Sequence, residues 1–187
     1  GYCSDMTRTF YCKSVDEEQA AIHDLVRTAV EKAEAIIKPG VRFCDIDAQA
    51  RDLIGEAGYG EYWKIRLGHF IGQEDHEYGD VSPINKNVAE PGMIFSIEPG
   101  IYIEGSHGVR LENELLVCEG EKNEYGEFLY FEPITYVPFD LDAINPDIMN
   151  AEDKERLNTY HATVYEKVSP YLNDEEKEWL KKYTRAI

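Results

Sequence analysis

Basic side chains are scarce in this sequence. Its 187 residues hold 19 Lys and Arg against 37 Asp and Glu, a formal charge of −18. That balance argues against nucleic-acid binding, which needs clustered Lys and Arg to neutralise phosphates. It argues equally against docking on an anionic membrane. Long apolar runs are missing too, and none approaches the roughly 18 residues of a membrane span. The four cysteines, Cys3, Cys12, Cys44 and Cys118, form no CxxC pair, so neither a zinc ribbon nor a thiol redox motif has support. In a chain of this size and apolar content they are expected to be the reduced thiols of a cytoplasmic protein. There is no internal repeat and no low-complexity tract. No GxGxxG, Walker or GxSxG pattern occurs, which leaves nucleotide-binding and serine-hydrolase readings without a foothold.

What is present is enough for a core, with 43 % hydrophobic and 12 % aromatic residues. The length suits one domain with or without an appendage. The chain starts with Gly1, not Met, so a processed start or a longer polypeptide is expected, and the lack of a leader carries no weight. Gly1 to Lys13 alternates polar with apolar residues and reads as a strand. Ser14 to Glu17 reads as a capping box, opening a helix whose apolar face holds Ile22, Leu25, Val26, Ala29, Val30, Ala33 and Ile37. A second helix, from near Asp45 to a stop at Gly58, carries Ile46, Ala50, Leu53, Ile54 and Ala57. Gly58 to Gly120 is strand-like, most clearly at Met93 to Ile97 and at Val109 to Cys118, and Phe128 to Phe139 reads as another strand. Pro146 to Ile187 reads as two amphipathic helices capped by Asn150 and Asn173, the second with Trp179, Leu180 and Tyr183 on its apolar side. Helices segregated from antiparallel strands give an α+β class.

Three segments combine turn glycines with polar groups that are costly to bury: 68–77, 96–100 and 108–113. Glu98 ends an apolar strand just before Pro99-Gly100, so a rigid element aims it. The strand period of two puts Arg110 and Glu112 on one face. His69 lies between turn glycines. Near the start, Asp5, Thr7 and Thr9 share a strand face, and Asp is disfavoured inside strands. Each has a bland alternative: an exposed charge, a cross-strand ion pair, a structural histidine, a turn. Together, one imidazole and three carboxylates from separate strands would suit Mn²⁺, Fe²⁺, Co²⁺ or Zn²⁺. Two of the carboxylates could bridge a metal pair of the kind that activates water for hydrolysis. The remaining acidic excess reads as a solvated surface.

The runs Ser4-Asp5-Met6-Thr7-Arg8-Thr9, Gly68-His69-Phe70-Ile71-Gly72 with His76-Glu77, Ile97-Glu98-Pro99-Gly100 and Val109-Arg110-Leu111-Glu112 occur in the order seen in a known group of enzymes. The chain resembles the methionine aminopeptidase and proline peptidase superfamily of metallopeptidases, and within it the Xaa-Pro aminopeptidases. The tail from Pro133 resembles the C-terminal end of the larger Xaa-Pro enzymes. The resemblance implies a pita-bread fold, with residues 1–140 as the C-terminal half of the catalytic domain and 141–187 as a helical extension. It implies two divalent ions in the complete enzyme, manganese first among the candidates and zinc, cobalt or iron after it. Asp5 and Glu112 would bridge the ions, and His69 and Glu98 would complete the shell of one. Glu98 would also shuttle the proton of the attacking water. His76 would stabilise the tetrahedral intermediate, and Arg110, with Thr7 beside it, would hold the neighbouring carboxylates.

The departures carry expectations of their own. The family's further aspartate, on the preceding hairpin strand, would fall before Gly1 together with the first half of the fold. One well-filled metal site and one weak or empty site are therefore expected for this chain. So is a covering partner, an upstream segment or a complementary chain supplying the first half of the fold, and a homodimer is a separate possibility. Ile65 stands where many proline-specific members carry histidine, and Phe70 stands where glycine is common, adding bulk beside His69. Peptides are the implied substrate. A non-catalytic pita-bread module that binds peptides or proteins, and a metal-free C–N hydrolase of the same fold, are the alternatives.

Overall fold

The computed structural model describes residues 1–36 and 38–187. They divide into two compact units, the first made of Gly1–Thr9 with Asp16–Thr135 and the second of Phe10–Val15 with Tyr136–Ile187.

The first unit opens its helical part with α1, Glu17–Ala35, followed by α2, Phe43–Glu56. The capping box of α1 sits two residues later than the sequence suggests. Asp16 accepts the Gln19 backbone N–H, and the Gln19 side chain accepts from the Asp16 N–H. Asp is as good a cap as Ser, and the shift leaves Glu17 and Glu18 in the first turn, where the helix dipole favours them. Ile22, Val26, Ala29, Val30 and Ala33 are buried along one stripe. Leu25 is half-buried, and Ile37, assigned to the same stripe, lies outside the described residues. On α2, Ile46, Ala50 and Ile54 are buried, Leu53 is half-buried and Ala57 is exposed. Gly58 follows with φ +89°, a conformation that favours glycine and ends the helix.

The strands are β1 (Gly68–His69), β2 (Asp80–Val81), β3 (Ile94–Ile97), β4 (Gly100–Ile103), β5 (His107–Arg110), β6 (Asn113–Asn123) and β7 (Gly126–Pro133). All pairings are antiparallel: β1 with β2, β4 with β5, and β6 between β3 and β7. A bridge between Phe70 and Phe95 brings the chain just after β1 against β3. The edge-to-face rings of Phe43, Phe70 and Phe95 fill the space under it.

Three sequence expectations change here. Gly1 to Lys13 forms no strand among the described residues; its first part, Gly1–Thr9, is held at separate points. The strand expected over Val109 to Cys118 breaks at Leu111 and Glu112, because β5 pairs with β4 whereas β6 pairs with β3. In the gap, the Glu112 N–H bonds the Thr7 carbonyl at 3.0 Å. The strand expected to reach Phe139 stops at Pro133, whose ring nitrogen has no proton to donate to a ladder.

In the second unit, α3 (Ala151–Val168) and α4 (Asp174–Tyr183) are capped by Asn150 and Asn173 as the sequence implies. The buried His161 ring accepts the Phe139 N–H at 3.0 Å, and Tyr160 donates its hydroxyl to the Val137 carbonyl. On α4 only Leu180 is buried; Trp179, expected on the packed side, is 57 % exposed. No helix among the described residues is long and apolar enough to cross a membrane.

Candidate metal centre

The break between β5 and β6 is where the polar side chains meet. Glu112 is only 1 % exposed. Its Oε2 accepts the Thr7 hydroxyl at 2.7 Å, while its Oε1 is buried with no hydrogen-bond partner among the described residues. One ligand atom each from Asp5, His69 and Glu112 lies within 4.8 Å of the others. His69 Nε2 is 3.5 Å from Asp5 Oδ2 and 3.4 Å from Glu98 Oε1. Glu98 therefore reaches the group from its imidazole side.

The tautomer follows from the other ring nitrogen. His69 Nδ1 lies 3.1 Å from the Phe70 carbonyl oxygen, which can only accept, so Nδ1 carries a proton. The other nitrogen, Nε2, faces two carboxylate oxygens, and in the neutral ring it is the one that presents a lone pair to a cation. Four acceptor groups converge with too few protons among them. Burial pushes Glu112 up to about 7, and the charges of Glu98 and Asp5 push in the same direction against the Thr7 hydrogen bond. Burial also raises Glu98, opposed by His69 and Arg110. An orphaned buried carboxylate oxygen, an imidazole lone pair and crowded carboxylates with raised pKa are what a divalent-cation site looks like without its charge. The residues present fit such an ion.

Supporting groups fix this arrangement. Arg110 Nε donates to Thr7 Oγ1 at 2.8 Å and lies 4.0 Å from Glu112 Oε2. It therefore reaches Glu112 mainly through the Thr7 hydroxyl. Arg110 also meets the Tyr102 hydroxyl at 3.4 Å. Arg8 donates to the Glu112 carbonyl and to Asn113 Oδ1. The exposed His76 ring stacks on His69, with centroids 3.7 Å apart and planes 10° from parallel. Its loop is folded by Glu77, whose Oε1 takes the Gln73 N–H at 2.7 Å. Phe70 adds no bulk to the site: its ring packs on Phe43 and Phe95, since alternation along the chain turns it away from His69.

Two polar residues in this network were given no role from sequence. Ser96, fully buried, accepts the His69 N–H at 3.1 Å and donates to Glu98 Oε1 at 3.3 Å. Glu114, 6 % exposed, accepts the Asp5 N–H at 2.6 Å. A period of two back from Glu98 and on from Glu112 would have found both. Gly68 shows how closely the elements approach, for a Cβ there would stand 1.8 Å from the Ser96 carbonyl oxygen. Gly68→Ala should therefore destabilise the chain by about 3 kcal/mol, at the upper end for overpacking, as read by urea unfolding. A loss under about 1 kcal/mol would mean that β1 and β3 can separate cheaply.

A profile of metallopeptidase family M24 matches residues 1–119, and one of the C-terminal region of M24 peptidases matches residues 127–187. The chain belongs to metallopeptidase family M24. An uncharacterized peptidase of Staphylococcus saprophyticus is 52 % identical over 118 residues, which cover 63 % of this chain and 34 % of that protein. A prolidase structure from Pyrococcus horikoshii aligns at a TM-score of 0.67 and 38 % identity, covering 75 % of this chain and 38 % of that one. The X-prolyl aminopeptidase of Caenorhabditis elegans, described as a cytosolic enzyme with a di-nuclear active site, aligns at 0.80 and 25 % identity over 97 % of this chain and 31 % of its own. This M24 chain thus spans about a third of the length of the relatives it matches. Its helices and antiparallel strands are the corresponding part of the pita-bread architecture.

Proposed function

We propose that this M24 chain is the portion of a metal-dependent aminopeptidase that holds the cation site, and that it acts on the N-terminal bond of peptides, Xaa-Pro peptides first among them. The observation that carries the reading is the convergence of Asp5, His69 and Glu112, with Glu98 beside the His69 imidazole and the Glu112 Oε1 buried and unpartnered among the described residues. Those four side chains would hold a divalent ion, with manganese proposed ahead of zinc, cobalt and iron because three of the four ligands are carboxylates. Bound there, the ion would lower the pKa of water and polarise the scissile carbonyl.

The chain's own groups do the rest. Glu98, whose carboxyl burial raises above its usual range, accepts a proton from the attacking water and returns it to the leaving amine. His76, exposed at the mouth and braced by its stack on His69, donates a hydrogen bond to the carbonyl oxygen as charge develops there. Thr7 and Arg110 keep the Glu112 carboxylate in place. We take residues 1–140 as the catalytic portion and 141–187 as a helical extension. The four free thiols and the cytosolic C. elegans neighbour support a cytoplasmic setting.

Two measurements test the proposal. Calorimetric titration with Mn²⁺ should give one tight ion per chain, abolished by Asp5→Ala; two equally tight ions would overturn the ligand set. Release of the first residue from Xaa-Pro and Xaa-Ala peptides should require added metal, assayed on the chain alone and on one extended at its N-terminus. If neither form cleaves either peptide with metal bound, the aminopeptidase reading fails.

A further inference from the structure

We propose that Glu114 is a positioning residue of the cation site, a latch that holds the Asp5 segment at ligating distance from the sheet. This deepens the proposed function and rests on Asp5, His69, Glu98 and Glu112 holding a cation.

Three of those four ligands end a strand or directly adjoin one. His69 ends β1, Glu98 follows β3, and Glu112 precedes β6. Asp5 is different, because Gly1 to Thr9 belongs to no strand. The segment is fixed at separate points. The Cys3 N–H bonds the Gly72 carbonyl at 2.7 Å, and the Thr7 carbonyl accepts the Glu112 N–H at 3.0 Å. Midway between them, the ligand's own backbone N–H donates to Glu114 Oε1 at 2.6 Å. That bond is short.

Glu114 is itself held rigidly. Its N–H donates to Thr135 Oγ1 at 2.9 Å, and its carbonyl accepts the Ile134 N–H at 3.0 Å. In the β3–β6 register it stands directly opposite Ser96. Ser96 in turn holds the His69 N–H and the Glu98 carboxylate. One cross-strand row thus orients Asp5 from one side and His69 and Glu98 from the other, with Glu112 two residues along the same chain. A ligand set works only when its members are held to within about 0.5 Å. A segment without a ladder cannot meet that tolerance unless something buried fixes it, and a side chain 6 % exposed does so.

The test compares Glu114→Gln, which keeps a carbonyl acceptor, with Glu114→Met, which fills similar space and cannot accept. Mn²⁺ affinity by calorimetry and amide hydrogen exchange at Asp5 are measured on the whole chain. The Asp5 amide should be protected in the wild type. In E114M it should exchange at least about tenfold faster, and the Mn²⁺ Kd should weaken by about 10- to 100-fold. E114Q should stay within about threefold of wild type in both readouts, a rescue that general packing damage would not show. Unchanged Asp5 exchange in E114M, or E114Q as weak as E114M, overturns the latch. Should E114M fail to fold, the wild-type amide decides, and rapid exchange at Asp5 sinks the proposal. A wild-type chain that binds no Mn²⁺ instead overturns the cation reading, while the exchange measurement still decides the latch.

Discussion

For the aminopeptidase activity proposed above, Glu98→Gln should lower kcat by about 10²- to 10⁴-fold at saturating metal, the range for removing a general acid–base group, and leave the fold intact. The amide is isosteric and keeps an oxygen that can accept the Ser96 hydroxyl. What it loses is the ability to take and return a proton. Burial already disfavours the ionised carboxylate, so the metal-free variant should melt no lower than wild type. Metal affinity should fall as well, because Glu98 lies 3.4 Å from His69 Nε2 beside the proposed ion; the assay is therefore run across a metal series and extrapolated. By contrast Thr7→Val, which removes the hydroxyl between Arg110 and Glu112, should cost only about 10- to 100-fold. If E98Q keeps more than a tenth of wild-type kcat with metal saturating, Glu98 is not the proton carrier.

The unequal legibility of the chain has a physical cause. The helices were readable because caps and periodic burial are local signals: Asn150 and Asn173 begin α3 and α4, and Ile22, Val26, Ala29 and Ala33 line α1. The segments around His69, Glu98 and Glu112 stood out for a related reason, because turn glycines beside polar groups are a local signal, while their ordering and their proposed roles as ligands came from the resemblance to a known family. Long-range pairing was not. That β5 and β6 part company at Glu112 depends on each finding a different partner strand, which no window of sequence contains. Segment 1–13 has a strand's alternation, yet the backbone bonds of Cys3, Asp5 and Thr7 go to three separate places, Gly72, Glu114 and Glu112, and form no ladder. Glu114 and Ser96 look like ordinary strand residues until the register sets them opposite each other beneath the ligands. Trp179 failed in the other direction: its spacing on α4 is amphipathic, but among the described residues only Leu180 of that helix is buried.

The metal-free chain should lose stability as pH rises from about 4.5 to about 7, and a divalent cation should reverse the sign of that dependence. Glu112 is raised from 4.5 to about 7 in the folded chain, first by burial and then by Glu98 and Asp5. Between those values the folded state binds more protons than the unfolded one, so unfolding free energy falls with increasing pH. At about 1.4 kcal/mol per pH decade, ionising Glu112 in the metal-free chain costs on the order of 3 kcal/mol. Glu98 and Glu114 shift in the same direction, each chiefly by burial. The exposed Arg42–Asp45 and Lys122–Glu127 pairs lower their carboxylates instead. They act below the normal carboxylate range and are screened by solvent, so they do not mask the effect. A bound cation takes the ionised carboxylates, and its affinity rises with pH as protons leave. Its stabilisation grows as RT ln(1 + [M]/Kd). Melting curves in chelator should therefore decline across this window, whereas curves in Mn²⁺ should climb. Glu112→Gln should flatten both, being more stable than wild type in chelator near neutral pH and less responsive to metal. A chelated wild-type chain whose melting temperature stays level from pH 5 to pH 8 would mean that Glu112 is not the strained, cation-seeking carboxylate described here.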